Sequence, residues 1–278
     1  MCIILIMLLP SFLSAQFSYS GSLNSRYADS ENDLGFNEHL FDFNVDYSTS
    51  DRIYQGWTQF EFSDPPELGR PVQELRKLRF EYLSGNMTAK IGDIYEFWGM
   101  GMALNQVDDQ AIDFDTGIRG ALFSYNNDFL KWTVLKGQTH TWKSTNLIKG
   151  FDERVPNFDT NHDLLGTNLE FTFESGMAGI NLIQSNEKHD SFDRFGTVEK
   201  KNINHTMIGA YASFYSSRAS LFVEVLKKAS KETTTDYNEE GSGLYANLMV
   251  PLGDWSLLAE YKNYNFLTLS PLEKDNFV

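Results

Sequence analysis

The chain has 278 residues, a formal net charge of -15 and 14% aromatic residues. So acidic a chain has no basic surface to spare for phosphates, which excludes nucleic-acid binding. No apolar run reaches the ~18–20 residues of a membrane helix, and the only cysteine, Cys2, lies in the first apolar run, so a chain cleaved after that run has no disulfide, zinc-thiolate site or cysteine nucleophile.

Residues 1–15, MCIILIMLLPSFLSA, read as a secretory signal peptide: the run is short, stands first, and ends on the small residue Ala15. Residues 16–278 then form one β domain. Its first strand is expected over Phe17 to Tyr27. The second, LFDFNVDYS from Leu40 to Ser48, sets Phe41, Phe43, Val45 and Tyr47 against Asp42, Asn44, Asp46 and Ser48. Strict alternation with period two gives one strand an apolar and a polar face. Tyr54 to Phe62 and Leu75 to Tyr82 alternate in the same way, with a Pro-rich loop between them that no ladder tolerates. Met87, Ala89 and Ile91 continue the apolar face into a fifth strand.

Further strands are expected over Gly120 to Tyr125, Phe129 to Lys136, Thr167 to Phe173, Met177 to Gln184, Thr206 to Tyr215, Arg218 to Leu226, Gly243 to Val250 and Trp255 to Tyr264. Turns of about two to five residues alternate with polar connections of about ten to twenty-eight, and outer-membrane barrels have short periplasmic turns and long extracellular loops. Segments 28–38, 63–74, 138–165, 185–204 and 227–241 are expected to be those outer loops. In lipid every backbone polar group needs a partner, which among sheets only a closed barrel supplies. The count is about thirteen strands, whereas bacterial single-chain barrels use an even number. The residues from Ser270 onward read as loop, so the sequence is expected to be a fragment lacking C-terminal strands.

The connection Lys90 to Ala121 departs from this pattern. It breaks at Gly92 and at Gly99-Met100-Gly101, passes the carboxylates Asp108, Asp109, Asp113 and Asp115, and returns to strand at Arg119-Gly120. Gly92, Gly99, Gly101 and Gly120 are expected to let the backbone turn or approach another strand. Asp108, Asp109, Asp113, Asp115 and Arg119 are candidates to line a lumen, either as the charged rim of a constriction or as a network bracing the wall. Tyr95 and Trp98 are expected near lipid headgroups.

The run Gly92-Asp93-Ile94-Tyr95, Gly99-Met100-Gly101, Asp113-x-Asp115 and Arg119-Gly120 resembles an uncharacterised family of large bacterial outer-membrane β-barrels of porin-like appearance. The resemblance implies the fold and the outer membrane, and no substrate.

Asp159, Asn161 and Asp163 copy part of a calcium loop, but Leu164 stands where the turn needs glycine, so a solvated surface loop is expected there and no metal. No G-x-S-x-G elbow or H-E-x-x-H pair occurs, and the five histidines are scattered, so no enzyme is expected. The sequence therefore reads as an all-β, antiparallel up-and-down transmembrane β-barrel. Its expected function is a porin-like channel or transporter of an unnamed solute, without cofactor. Its expected partners are outer-membrane lipid and other outer-membrane or periplasmic proteins. Two alternatives are a non-conducting barrel that serves as a scaffold and a secreted β-sandwich.

Overall fold

The computed structural model describes residues 16–29, 35–64, 72–109, 114–144, 156–192, 198–233 and 238–267. The expected signal peptide and Asp113 lie outside these residues. Thirteen long strands form an antiparallel sheet in up-and-down order, and no described residue is helical. The chain divides into two compact units at Asp93/Ile94.

The first unit holds β1 (Gln16–Ala28), β2 (Phe36–Ser48), β3 (Arg52–Ser63), β4 (Val72–Ser84) and most of β5 (Met87–Ile94). Its alternation is the one expected. Phe41, Phe43, Phe60 and Phe80 share the apolar face, where Phe41 and Phe60 lie 6.4 Å apart and Tyr54 and Tyr82 5.1 Å apart. The other face is a ladder of polar pairs. Arg26 pairs with Glu38, and Arg76 with Glu61. Gln59 donates to Asp42 at 3.0 Å and Gln55 to Asp46 at 3.0 Å. Arg79 holds Glu81 at 2.6 Å and lies over the Trp57 ring. At the far end of β5, Gly92 has a φ of 110° and packs so closely on the Leu78 carbonyl that no side chain fits. Asp93 then accepts the Leu78 N–H at 2.7 Å.

The second unit carries four short strands and eight long ones. The short ones are β6 (Phe97–Trp98), β7 (Leu104–Asn105), β8 (Asp108–Asp109) and β9 (Phe114–Asp115). The long ones are β10 (Ile118–Asn126), β11 (Leu130–Ser144), β12 (Pro156–Phe173), β13 (Gly176–Phe192), β14 (Val198–Tyr215), β15 (Ser220–Glu232), β16 (Asn238–Leu252) and β17 (Trp255–Asn265).

Three expected loops are corrected here, because the ladders of β11 to β16 continue well into segments 138–165, 185–204 and 227–241. Periodicity missed this, because most residues on both faces of these extensions are polar. Polar cross-strand pairs hold them: Lys188 reaches Asp163 at 2.7 Å, Gln138 reaches the same carboxylate at 2.5 Å, and Asn186 donates to Asn202 and Asn204. The Asp159–Asp163 segment is likewise strand, paired with β11 and β13, and not a surface loop.

Candidate functional site

From β10 to β16 the second unit's sheet has one buried and one exposed face, and residues 95–109 and 114–117 fold onto the buried one. Two glycines make the fold possible. Gly99 and Gly101 have φ values of 62° and 87°, a region L side chains rarely adopt. Between them the chain reverses, so that β6 pairs with β7, and the Gly101 N–H closes the turn on the Trp98 carbonyl at 2.9 Å.

Apolar packing holds the segment down. Trp98, Ala103 and Leu104 are buried in one cluster with Ile94, Ile118, Leu122, Leu135, Leu164, Ile183, Met207 and Leu226. The sheet makes room by omitting side chains. A Cβ on Gly166 would lie 2.8 Å from the Trp98 ring, and one on Gly243 would lie 3.0 Å from the Met102 sulfur. Trp98 is 3% exposed, which corrects the expectation of a headgroup position for it.

One carboxylate fixes the turn. Glu224 of β15 is fully buried, and its Oε2 accepts the Met100 N–H at 2.6 Å. A Cβ on Gly99 would lie 2.7 Å from Glu224 Oε1, so only glycine lets the turn approach this closely. The far end is braced by Asp115. Its carboxylate accepts from the Tyr95 hydroxyl at 3.1 Å and from the Gly117 N–H at 2.8 Å, while Thr139 donates to the Thr116 carbonyl at 3.1 Å.

The carboxylates singled out by sequence thus separate. Asp115 is half-buried and braces the segment. Asp108 stands opposite it in the β8–β9 pair, and Asp108 and Asp109 are both exposed. Arg119 is exposed and shares its strand face with Ala121 and Phe123, whereas Ile118 and Leu122 are buried on the other face. It does not join the buried cluster. Gly120 has no unusual φ. It packs on the Lys136 carbonyl too closely for any larger residue.

Above and below the apolar cluster the same buried face is polar. His205 lies 2.8 Å from both Glu187 and Ser230, and His162 lies 3.1 Å from Ser185. Tyr211 donates to Glu170 at 2.8 Å and accepts from Asn168 at 3.1 Å. Sequence reading left these residues and Glu224 out of the site. The available signal for Glu224 was a single acid inside the apolar run Phe222–Leu226.

No protein-family model matches the chain, and no curated protein does. Solved structures do resemble it. An in-vitro folded trimer form of OmpT, an outer membrane protein of Vibrio cholerae, is 11% identical over 90% of this chain and 89% of that one, with a TM-score of 0.43. Its loop L8 deletion mutant is 11% identical over 90% and 94%, with a TM-score of 0.45. An anion-selective porin from Comamonas acidovorans is 11% identical over 91% and 90%, with a TM-score of 0.41. Likeness at this level decides nothing about what the chain carries.

Proposed function

We propose that this chain is an outer-membrane β-barrel protein that acts as a porin-like channel for small polar solutes, with residues 95–109 and 114–117 narrowing the path. One observation carries the reading: outside the apolar cluster, the polarity of the sheet is inverted. On β13 the exposed residues include Ile180 (57%) and Leu182 (39%), while Asn181, Ser185 and Glu187 are at 4% or less. A protein folded in water buries its apolar face and wets its polar one. A barrel wall does the reverse, with apolar residues towards lipid and polar ones towards the interior. A β-sandwich would hold the phenylalanines between two sheets, yet Phe80, Phe173 and Phe214 are each about half exposed.

Aromatic residues collect at the short-turn ends, as barrel girdles do. Phe129, Phe173, Phe214, Tyr215 and Trp255 are all exposed there. The paired charges on the polar face of the first unit suit the water-filled side of such a wall. Purified protein reconstituted in a planar bilayer is expected to give discrete conductance steps. Insertion without conductance overturns the channel, and recovery only in the aqueous fraction overturns the membrane assignment.

A second reading rests on the apolar cluster under Trp98. A barrel packed on its interior side would not conduct and would serve as a scaffold for another outer-membrane or periplasmic protein. Silent insertion together with stoichiometric retention of one partner on affinity purification from membranes would favour it.

A further inference from the structure

The exposed face of the second unit carries a groove of about 770 Å³. Trp132, Leu169, Ile180, Leu182 and Ile208 line it, and Lys227 stands among them. The groove opens over Ala210, which pairs with Ile180 on β13 and Val225 on β15 and whose side chain ends at Cβ.

Lys227 is the cation of the groove. It lies on the exposed face of β15, beside Ile208 and Ser242 and one pleat along from Val225. In the next row towards the polar extension, Thr206, Ala229 and Glu240 stand together, and Ala229 leaves a gap. A lysine on a lipid-facing surface is tolerated where its flexible stem carries the ammonium to the interface. Glu240, diagonal to Lys227, is exposed and is the one carboxylate facing that path among the residues paired with β15.

We infer that this groove binds one phospholipid with an anionic headgroup, its phosphate at the Lys227 ammonium and one acyl chain along Ile180, Leu182, Ile208 and Trp132. This inference rests on the membrane reading above. Charge and shape choose the occupant. The phosphate of a zwitterionic lipid is balanced by its own cation, so it competes less well than an anionic lipid for the ammonium beside Glu240, and an apolar protein surface would bury both charges away from water. An anionic lipid satisfies both the apolar lining and the cation.

Trp132 makes the groove readable by fluorescence. The full chain, and its Trp132→Phe variant to isolate the Trp132 signal, would be inserted into vesicles containing either brominated phosphatidylglycerol or brominated phosphatidylcholine. Quenching of Trp132 is expected to show about fivefold preference for the anionic lipid, the effect of one lysine near an anionic surface. Lys227→Gln should abolish that preference while insertion is retained. Equal quenching by the two lipids, or a preference that survives Lys227→Gln, overturns the inference. So does absence of Trp132 quenching in inserted protein whose other tryptophans are quenched, which would mean that a second copy or another protein covers the groove. Protein that stays in the aqueous phase sinks the membrane reading, and this inference with it.

Discussion

The two units solve the same problem differently on their polar sides. In the first, the face opposite the aromatics is mostly polar, and several of its acids are met by a neighbouring base or amide, as in Arg76–Glu61 and Gln59–Asp42. In the second, the corresponding face carries an apolar cluster between polar layers, because Trp98, Ala103 and Leu104 lie on it. The first is a wall whose side chains satisfy one another. The second is a wall that has received an extra layer, and its interior glycines and Glu224 exist to receive it. Charge density alone therefore does not locate the candidate site. It sits where the charged face is interrupted.

The sharpest way to break this comparison is to remove the filler. Trp98→Ala leaves a cavity under Gly166 and should cost about 3–5 kcal/mol in the second unit, as large-to-small aromatic substitutions in cores do. Denaturant titration in vesicles measures the loss, and a change below about 1 kcal/mol would show that Trp98 is not packed as described. Next in size, Ile180→Arg on the exposed face should cost about 2–4 kcal/mol if that face meets the bilayer midplane. Asn181→Leu, its neighbour on the buried face, should not produce that lipid-dependent loss, and equal effects in detergent and in bilayer would contradict the sidedness.

Glu224→Ala, which leaves the Met100 N–H without its acceptor, should cost about 1.5–3 kcal/mol, the contribution of a hydrogen bond to a charged group. The same substitution should raise hydrogen exchange at Met100 and increase single-channel conductance by loosening the turn. Unchanged exchange there would remove Glu224 from the site. The smallest effect is expected in the first unit. Arg79 and Glu81 are partly exposed, so Arg79→Gln should change stability by about 0–1 kcal/mol. It should still shift cation-over-anion selectivity, which reversal potentials under a salt gradient would record. No shift would mean that this face does not border the solute path.

Much of the fold was legible because alternation was strict where one face was apolar. Phe41, Phe43 and their neighbours placed β2 unambiguously, and the short turns placed the hairpins. The extensions of β11 to β16 were not legible. Asn186, Lys188, His205 and Ser230 carry no apolar period, and their strand character comes from ladder bonds and cross-strand pairs that involve residues far apart in sequence. The site was half legible. Gly99 and Gly101 marked the turn, but the carboxylates nearby drew attention from Trp98, whose burial depends on a missing side chain at Gly166. No local pattern announces that pairing. Arg119 followed the same logic, since its proximity in sequence to Asp115 did not put it on the same face as the buried cluster.

The central claim is that Ile180 faces lipid while Asn181, one residue along, faces the interior. Spin labels on single cysteines at the two positions, in a Cys2→Ser background, can be compared for collision with oxygen and with a water-soluble nickel chelate. Higher oxygen than nickel accessibility at residue 180, with protection from oxygen at residue 181, is the predicted result. Nickel accessibility at residue 180 equal to that of an exposed turn such as residue 127 would contradict it.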